Sequence, residues 1–251
     1  MAATSGGYGS HPLLAKIRNP RLRRLARMVY PPMPTLNVIP SAVLNGIREA
    51  LFRPGSMVLN IGSGGLSGCG RRLWTQPGAL RCHVIHMDLS GGEPVNLRGD
   101  AHVLPFSDGS LDAVIMQAVL EHLAEPRTAL TEVWRVLRPG GILYVEIPFL
   151  QGFHADPHDY QRYTLPGLRR RLAGFEELAS GVSVGPFCTL VWVLRDGLSN
   201  CFRNRVMYTF SRALAGWMLS PVRYLDYLAR YSPAAERLAN EYYYLCRKPL
   251  P

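Results

Sequence analysis

The sequence predicts an α/β fold built on a doubly wound, mostly parallel sheet. Two observations carry this. From Ser41 onward, short apolar runs of strand length alternate with amphipathic stretches of helical length, and the first such run, Met57 to Ile61, passes straight into a glycine turn. The chain of 251 residues has room for one such domain with additions. A composition of 47% hydrophobic and 18% charged residues is that of a folded globular protein.

In order along the chain, residues 1–44 form a basic N-terminal arm. Leu13, Leu14, Ile17, Leu22, Leu25 and Met28 are interleaved with arginines, and the run Tyr30-Pro31-Pro32-Met33-Pro34 follows. This reads as a short basic amphipathic helix leading into an extended connector. The same acid-free, arginine-rich character suits a mitochondrial transit peptide, whereas a secretory signal does not fit because an apolar h-region is missing. Ser41 is expected to cap a helix through about Phe52, which Pro54-Gly55 breaks before the strand Met57 to Ile61. Further strands are expected at His83 to Met87, Ala113 to Met116, Ile142 to Ile147 and Glu177 to Val184. Helices are expected at Arg127 to Leu137 and Pro166 to Ala173.

Charge is unevenly placed. Residues 1–48 hold seven basic and no acidic side chains, residues 49–194 hold 12 and 14, and residues 195–251 hold 9 and 4. A near-neutral middle thus sits between basic ends suited to a membrane surface or polyanion, although 26 of the 28 basic residues are arginine, so coding bias is an equal explanation. Nucleic acid is not expected as a partner. No window approaches the ~18 uninterrupted apolar residues of a membrane span, so no transmembrane segment is expected. Cys69, Cys82, Cys188, Cys201 and Cys246 are scattered and odd in number, without a CxxC pair; this supports neither a disulfide framework nor a zinc ribbon, and a reducing cytoplasmic compartment is the simplest expectation.

The glycine turn reads Val58-Leu-Asn-Ile-Gly-Ser-Gly-Gly65. Gly62 and Gly64 lack β-carbons, so the backbone turns tightly and a ligand can approach it closely. Asp88 ends the next strand, where its oxygens can accept both hydroxyls of a ribose, and Asp100-Ala101 opens the stretch GDAHVLPF, where an acid can accept from an adenine amino group. Gln117 begins the turn after the following strand. Singly, Asp88 also reads as a solvated turn residue, Asp100 as a helix cap and Gln117 as a surface polar group; it is their spacing that argues for a site.

In this order the blocks VLNIGSGG, VIHMD, GDAHVLPF, SLDAVIMQAVLEHL and EVWRVLRPGGILYVEIP resemble class I S-adenosylmethionine-dependent methyltransferases of the type 11 group. The resemblance implies a Rossmann-like, seven-stranded sheet, with S-adenosyl-L-methionine as cofactor. It further implies that Gly62, Ser63 and Gly64 cradle the methionine and ribose portion, Asp88 holds the ribose, Asp100 and Ala101 the adenine, and Gln117 the methionine end. One departure is Asn60, where the group usually has an acid; the contact there becomes neutral, though Asn can still accept a hydrogen bond. In this group Glu121 and His122 commonly brace the chain after the strand. Glu241 to Lys248 resembles the closing strand of these domains. The resemblance therefore divides the chain into the arm 1–44, a cofactor-binding domain 45–184, a helical insertion or cap 185–240 and a closing strand 241–251.

On the acceptor side, residues 151–163 pack His154, Asp156, His158, Asp159, Arg162 and Tyr163 into the loop after Pro148, before Thr164 caps the next helix. A histidine there could act as general base, with Asp156 or Asp159 orienting it, so His154, His158 and Asp159 are the candidate catalytic residues. The alternatives are a polar loop whose His and Asp groups pin its own backbone, and a divalent cation site. No metal is assigned, because matched ligand spacing elsewhere is missing. The HADPHDYQRYT block resembles a bacterial subset of the group that accompanies glycan or specialised-metabolite genes, which implies a small-molecule or glycan-like acceptor. Two rivals remain. A nicotinamide oxidoreductase or epimerase is disfavoured because Ser67 stands where its third glycine belongs, and a non-catalytic module of the same fold is hinted at only by Asn60.

Overall fold

The computed structural model describes residues 19, 30–64, 73, 81–92, 94–155 and 157–251. The helix expected before Tyr30, and Asp156, lie outside the described residues. The first described helix, α1 (Ser41–Leu51), turns Leu44, Ile47 and Leu51 inward, as its amphipathic spacing requires. Ser41 does not cap it: Pro40 occupies the cap position with extended backbone and no side-chain hydrogen bond.

Seven strands form one sheet: β1 (Met57–Ile61), β2 (His83–Asp88), β3 (Leu97–Arg98), β4 (Leu111–Gln117), β5 (Leu137–Pro148), β6 (Glu176–Val184) and β7 (Glu241–Arg247). Their order is β3-β2-β1-β4-β5-β7-β6, and β7 alone runs antiparallel to its neighbours β5 and β6. This is the mixed, doubly wound seven-stranded sheet expected from the sequence. β3 had no sequence signal because two residues carry no periodicity. β5 begins earlier than Ile142 because Leu137 already pairs with Leu111 ahead of a register shift. Helix α2 (Pro126–Val136) therefore stops one residue short of the expected Leu137.

Both faces of the sheet are covered, which is why its central strands read as continuous apolar runs. Val58, Ile115, Tyr144 and Tyr243 pack under α1. Leu59, Ile61, Met116 and Val145 pack on the other face against α2 and α3 (Leu165–Arg171). Thr164 caps α3, its side chain accepting from the Gly167 N–H at 3.2 Å. Residues 37–39 are pinned to β6: Val38 N–H donates to Ser183 O at 2.8 Å, and Val38 and Ile39 are buried.

Between β6 and β7 lie α4 (Pro186–Ser199), α5 (Arg205–Leu219) and the short α6 (Asp226–Ala229). Asp226, fully buried, caps α4 from 39 residues away: its carboxylate accepts from Phe187 N–H at 2.8 Å and Cys188 N–H at 2.9 Å. Trp192 on α4 reaches the loop after β5, where a β-carbon on Gly152 would stand 2.6 Å from its indole nitrogen. Among the described residues, no helix is long and apolar enough to cross a membrane.

The segment after β3 is clamped to α2. Glu132 accepts from Leu104 N–H at 2.8 Å and from Arg135 Nε at 2.8 Å, while Arg135 donates to Leu104 O at 3.0 Å and Phe106 O at 2.7 Å. The Arg135 hydrogen bonds bring the Glu132 carboxyl down to about 2. A carboxyl depressed in the folded state contributes stability that is complete above its unfolded value near 4.5 and disappears as the pH falls towards 2. Glu132→Gln should therefore lower stability at neutral pH, and its deficit against wild type should shrink across this acid window. A deficit independent of pH, measured by thermal unfolding, would overturn the assignment.

Candidate active site

All eight residues expected at the cofactor site, Asn60, Gly62, Ser63, Gly64, Asp88, Asp100, Ala101 and Gln117, stand at or just beyond the carboxyl ends of β1, β2, β3 and β4. Gly62 turns the chain with φ +72°, and its N–H donates to Met87 O at 2.8 Å. A β-carbon at Gly62 would run into Val119, and one at Gly64 would lie 2.7 Å from Asp88 Oδ2. Gly64 N–H instead donates to that oxygen at 2.8 Å, while Asp88 Oδ1 accepts both the N–H and the hydroxyl of Ser90 at 2.8 Å. Of the roughly four acceptor positions on a carboxylate, the loop takes three and leaves one on Oδ2. The turn and the acid thus face one another across the ends of β1 and β2, with one carboxylate position open.

Asp100 is held locally: its Oδ1 accepts His102 N–H at 2.9 Å and the His102 ring at 2.6 Å, and that backbone hydrogen bond is the main cause of its lowered pKa. Asn60 does not project freely. It is buried, and its amide donates to His86 Nδ1 across the β1–β2 pair at 3.2 Å. Burial lowers the pKa of His86, so both partners are neutral. This pairing was invisible in the sequence because it requires the strand register.

A second group of side chains assembles next to the glycine turn. After β4, Ala118 takes the left-handed conformation (φ 52°), its N–H donating to Glu146 O at 3.0 Å, and the chain enters a 3-10 turn over Leu120–His122. Ala at such a φ costs roughly 1 kcal/mol, and the bend delivers Glu121 and His122 towards β5. The loop after β5 is strapped over this turn: Tyr160 N–H donates to Glu121 O at 2.8 Å, and Gln161 Nε2 to Leu120 O at 2.8 Å.

That strap sorts the candidate catalytic residues. His154 is brought in, its Nε2 lying 3.6 Å from Glu121 Oε1, with the His122 ring edge-on at 5.3 Å. His158 contributes its carbonyl, which accepts from His122 Nδ1, while its exposed ring packs on Tyr160 at 5.4 Å. Asp159 is paired with Arg162, accepting from Nη2 at 2.7 Å, and also accepts the His154 N–H at 2.8 Å. Burial pushes the Asp159 carboxyl up, but Arg162 and the His154 N–H outweigh it and bring it down to about 2. Asp159 is therefore a fixed anion that shapes the loop.

Glu121, read from the sequence as a brace, is fully buried, and neither of its carboxylate oxygens accepts a hydrogen bond. Glu146 and Glu241 are the other residues that sequence reasoning missed. Burial raises both, and the neighbouring charges of Glu146 and Glu121 help to push Glu241 up to about 8.

A glycine turn facing an acid across β1 and β2, in a sheet of order 3-2-1-4-5-7-6, defines the class I methyltransferase fold. Residues 59–145 match the family model described as methyltransferase domain. The chain is 33% identical over 145 residues to an uncharacterized 37.1 kDa protein in transposon TN4556 of Streptomyces fradiae, covering 52% of this chain and 42% of that protein. It is 38% identical over 78 residues to the demethylmenaquinone methyltransferase of Renibacterium salmoninarum, covering 30% of this chain and 33% of that protein. The alignments with these two relatives thus span less than half of their length. A phosphoethanolamine N-methyltransferase 2 of Haemonchus contortus, solved with S-adenosylhomocysteine, superimposes with a TM-score of 0.50 at 17% identity, over 83% of this chain and 53% of that one.

The turn itself makes a stability forecast. Gly62→Ala places a side chain at positive φ against Val119 and should cost about 1–3 kcal/mol, whereas Gly46→Ala, in open space on α1, should gain up to about 1 kcal/mol. Urea unfolding of both variants checks this, and a Gly62→Ala protein as stable as wild type would contradict the geometry.

Proposed function

We propose that the chain transfers a methyl group from S-adenosyl-L-methionine to an oxygen or nitrogen nucleophile of a small-molecule, glycan or lipid-linked acceptor. The observation that carries this reading is adjacency: Gly62 packs on Val119, two residues before Glu121, so the cofactor cradle and the Glu121–His154 group share one sheet edge. When bound, the cofactor supplies an electrophilic methyl carbon on a sulfonium. Asp88 holds the ribose through its open acceptor position, and Gly62, Ser63 and Gly64 let the backbone close on the methionine and ribose portion. Asp100 and Ala101 flank the adenine, and Gln117 and the neutral Asn60 lie at the methionine end.

His154 takes the acceptor's proton. Glu121, 3.6 Å from the His154 Nε2, would stabilise the imidazolium formed. Asp159 positions His154 through its backbone N–H. His158, exposed on the same loop, is an acceptor contact on this reading. Asp88→Ala should weaken cofactor binding by roughly 1–3 kcal/mol in calorimetry, and NAD should not compete. His154→Ala should leave cofactor affinity within about twofold while lowering single-turnover methylation of a responsive hydroxyl acceptor by two to four orders of magnitude. Unchanged cofactor affinity in a folded Asp88→Ala protein, or wild-type turnover in His154→Ala, would remove the corresponding role.

The source of the acceptor is suggested by the helices before β7. Leu198, Phe210, Met218, Leu228 and Tyr231 are exposed there, alongside Arg223 and Arg230 stacked on tyrosines. Apolar and aromatic side chains mixed with arginine suit an anionic bilayer surface. The full chain should co-sediment with vesicles containing about 30% anionic lipid and release as salt is raised. Equal recovery with neutral vesicles, or none with either, would count against a lipid-linked acceptor.

A further inference from the structure

We infer that Glu121, His122 and His154 form a binding site for a divalent transition ion of the zinc, iron or manganese kind. One ligand atom from each residue can be chosen so that all lie within 4.8 Å of one another. Glu121 Oε1 stands 3.7 Å from His122 Nε2 and 3.6 Å from His154 Nε2. Direct hydrogen bonds between charged partners close to about 2.7–2.9 Å, so these separations are too long for contact. They are close to the spacing that an interposed ion imposes, since metal bonds of about 2.0–2.2 Å put neighbouring ligand atoms roughly 3.0–3.4 Å apart.

The outer contacts point the same way. His122 Nδ1 donates to the carbonyl of His158, and His154 Nδ1 lies 2.9 Å from the carbonyl of Gly152. A carbonyl only accepts, so each Nδ1 carries the proton and each Nε2 presents its lone pair towards Glu121. The Arg162 guanidinium, 3.3 Å from His154 Nδ1, has its better acceptor in Asp159 at 2.7 Å. A backbone carbonyl fixing the tautomer of each imidazole is the usual second contact of metal-ligating histidines. Glu121 supplies the independent observation. Its carboxylate is fully buried and neither oxygen accepts a hydrogen bond, an arrangement that is costly without a cation.

Two imidazoles and one carboxylate favour borderline ions over magnesium, which prefers an all-oxygen shell. Three protein ligands leave a position open for water or for an acceptor oxygen. A hydroxyl bound there would ionise more readily, its proton passing to bulk water. With the ion in place, His154 assists deprotonation as a ligand and no longer as a free base.

The site stands apart from the methyl-transfer reading and is tested without it. Tag-free full-length chain, stripped with chelator, should bind one equivalent of Zn²⁺ in calorimetry and retain it through desalting. Co²⁺ should give visible bands of nitrogen and oxygen coordination. His154→Ala and His122→Ala should each weaken Zn²⁺ binding by about 100-fold or more and abolish the cobalt bands, and Glu121→Gln should behave likewise. His83→Ala, at the opposite end of β2, should bind as wild type does. Circular dichroism and thermal unfolding report whether each variant is folded; where Glu121→Gln is not, the two histidine variants decide. No Zn²⁺ binding by wild type, or binding that survives both histidine substitutions, would overturn the site.

Discussion

Parallel strands can be joined only by crossovers that leave one edge of a sheet and return at the other, and that constraint organises everything else in this molecule. The in-register pairing of β1 with β2 and β4 brings the carboxyl ends of these strands level, with Ile61, the last residue of β1, beside Met87 and Met116. Whatever follows each strand must turn away at that edge, where backbone groups have no ladder partner. Gly62 and Ser63 meet this requirement by donating to Met87 O, which stations the glycine turn against Asp88. Ala118 meets it by adopting a left-handed bend and donating to Glu146 O. The glycine turn and the Glu121 turn are thus two answers to one backbone problem, and their adjacency follows from the sheet.

The reversed strand adds the acidic character of the same edge. Because β7 runs against β5 and β6, its first residue, Glu241, pairs with Pro148 and Val184, the last residues of those strands. Its carboxyl is delivered to the edge that already holds Glu146 and Glu121. Burial, together with the neighbouring charges of Glu146 and Glu121, pushes the Glu241 carboxyl up to about 8, so it is held neutral near pH 7. Such a region attracts protons and cations. It contrasts with the excess of basic residues towards the two ends of the sequence.

What was legible in the sequence was what a local pattern encodes. The apolar runs of β1, β4 and β5 announce strands buried on both faces, the glycine turn marks the end of β1, and Asp88 marks the end of β2. β3 was not legible, since two residues have no period, nor was the start of β5, which is set by pairing to Leu111. Asn60 stood out as a departure, but its partner His86 could be found only through register. Asp226 looked like an ordinary helical acid and is the cap of a helix that begins 40 residues earlier. Asp159 was read as chemistry and proves to be locked by Arg162, a pairing that occurs in a loop where no helical spacing would signal it.

The least legible feature is also the one with the most chemical content. Glu121 and His122 read as a brace, and His154, 33 residues away, as a free base, so nothing in the sequence joined them. The strap formed by the loop after β5 joins them: Tyr160 and Gln161 bind the backbone of the 3-10 turn, and the His158 carbonyl fixes the His122 ring. A loop that merely pinned itself would direct its polar atoms into its own backbone. Here the Nδ1 atoms do that, and the Nε2 atoms face a buried carboxylate across gaps of 3.6 and 3.7 Å. The fold supplies only the edge on which this happens, and folds of this kind host many reactions. The chemistry belongs to the gap itself: two imidazole nitrogens stand 3.6 and 3.7 Å from a buried carboxylate, a space that an ion or an acceptor hydroxyl would fill.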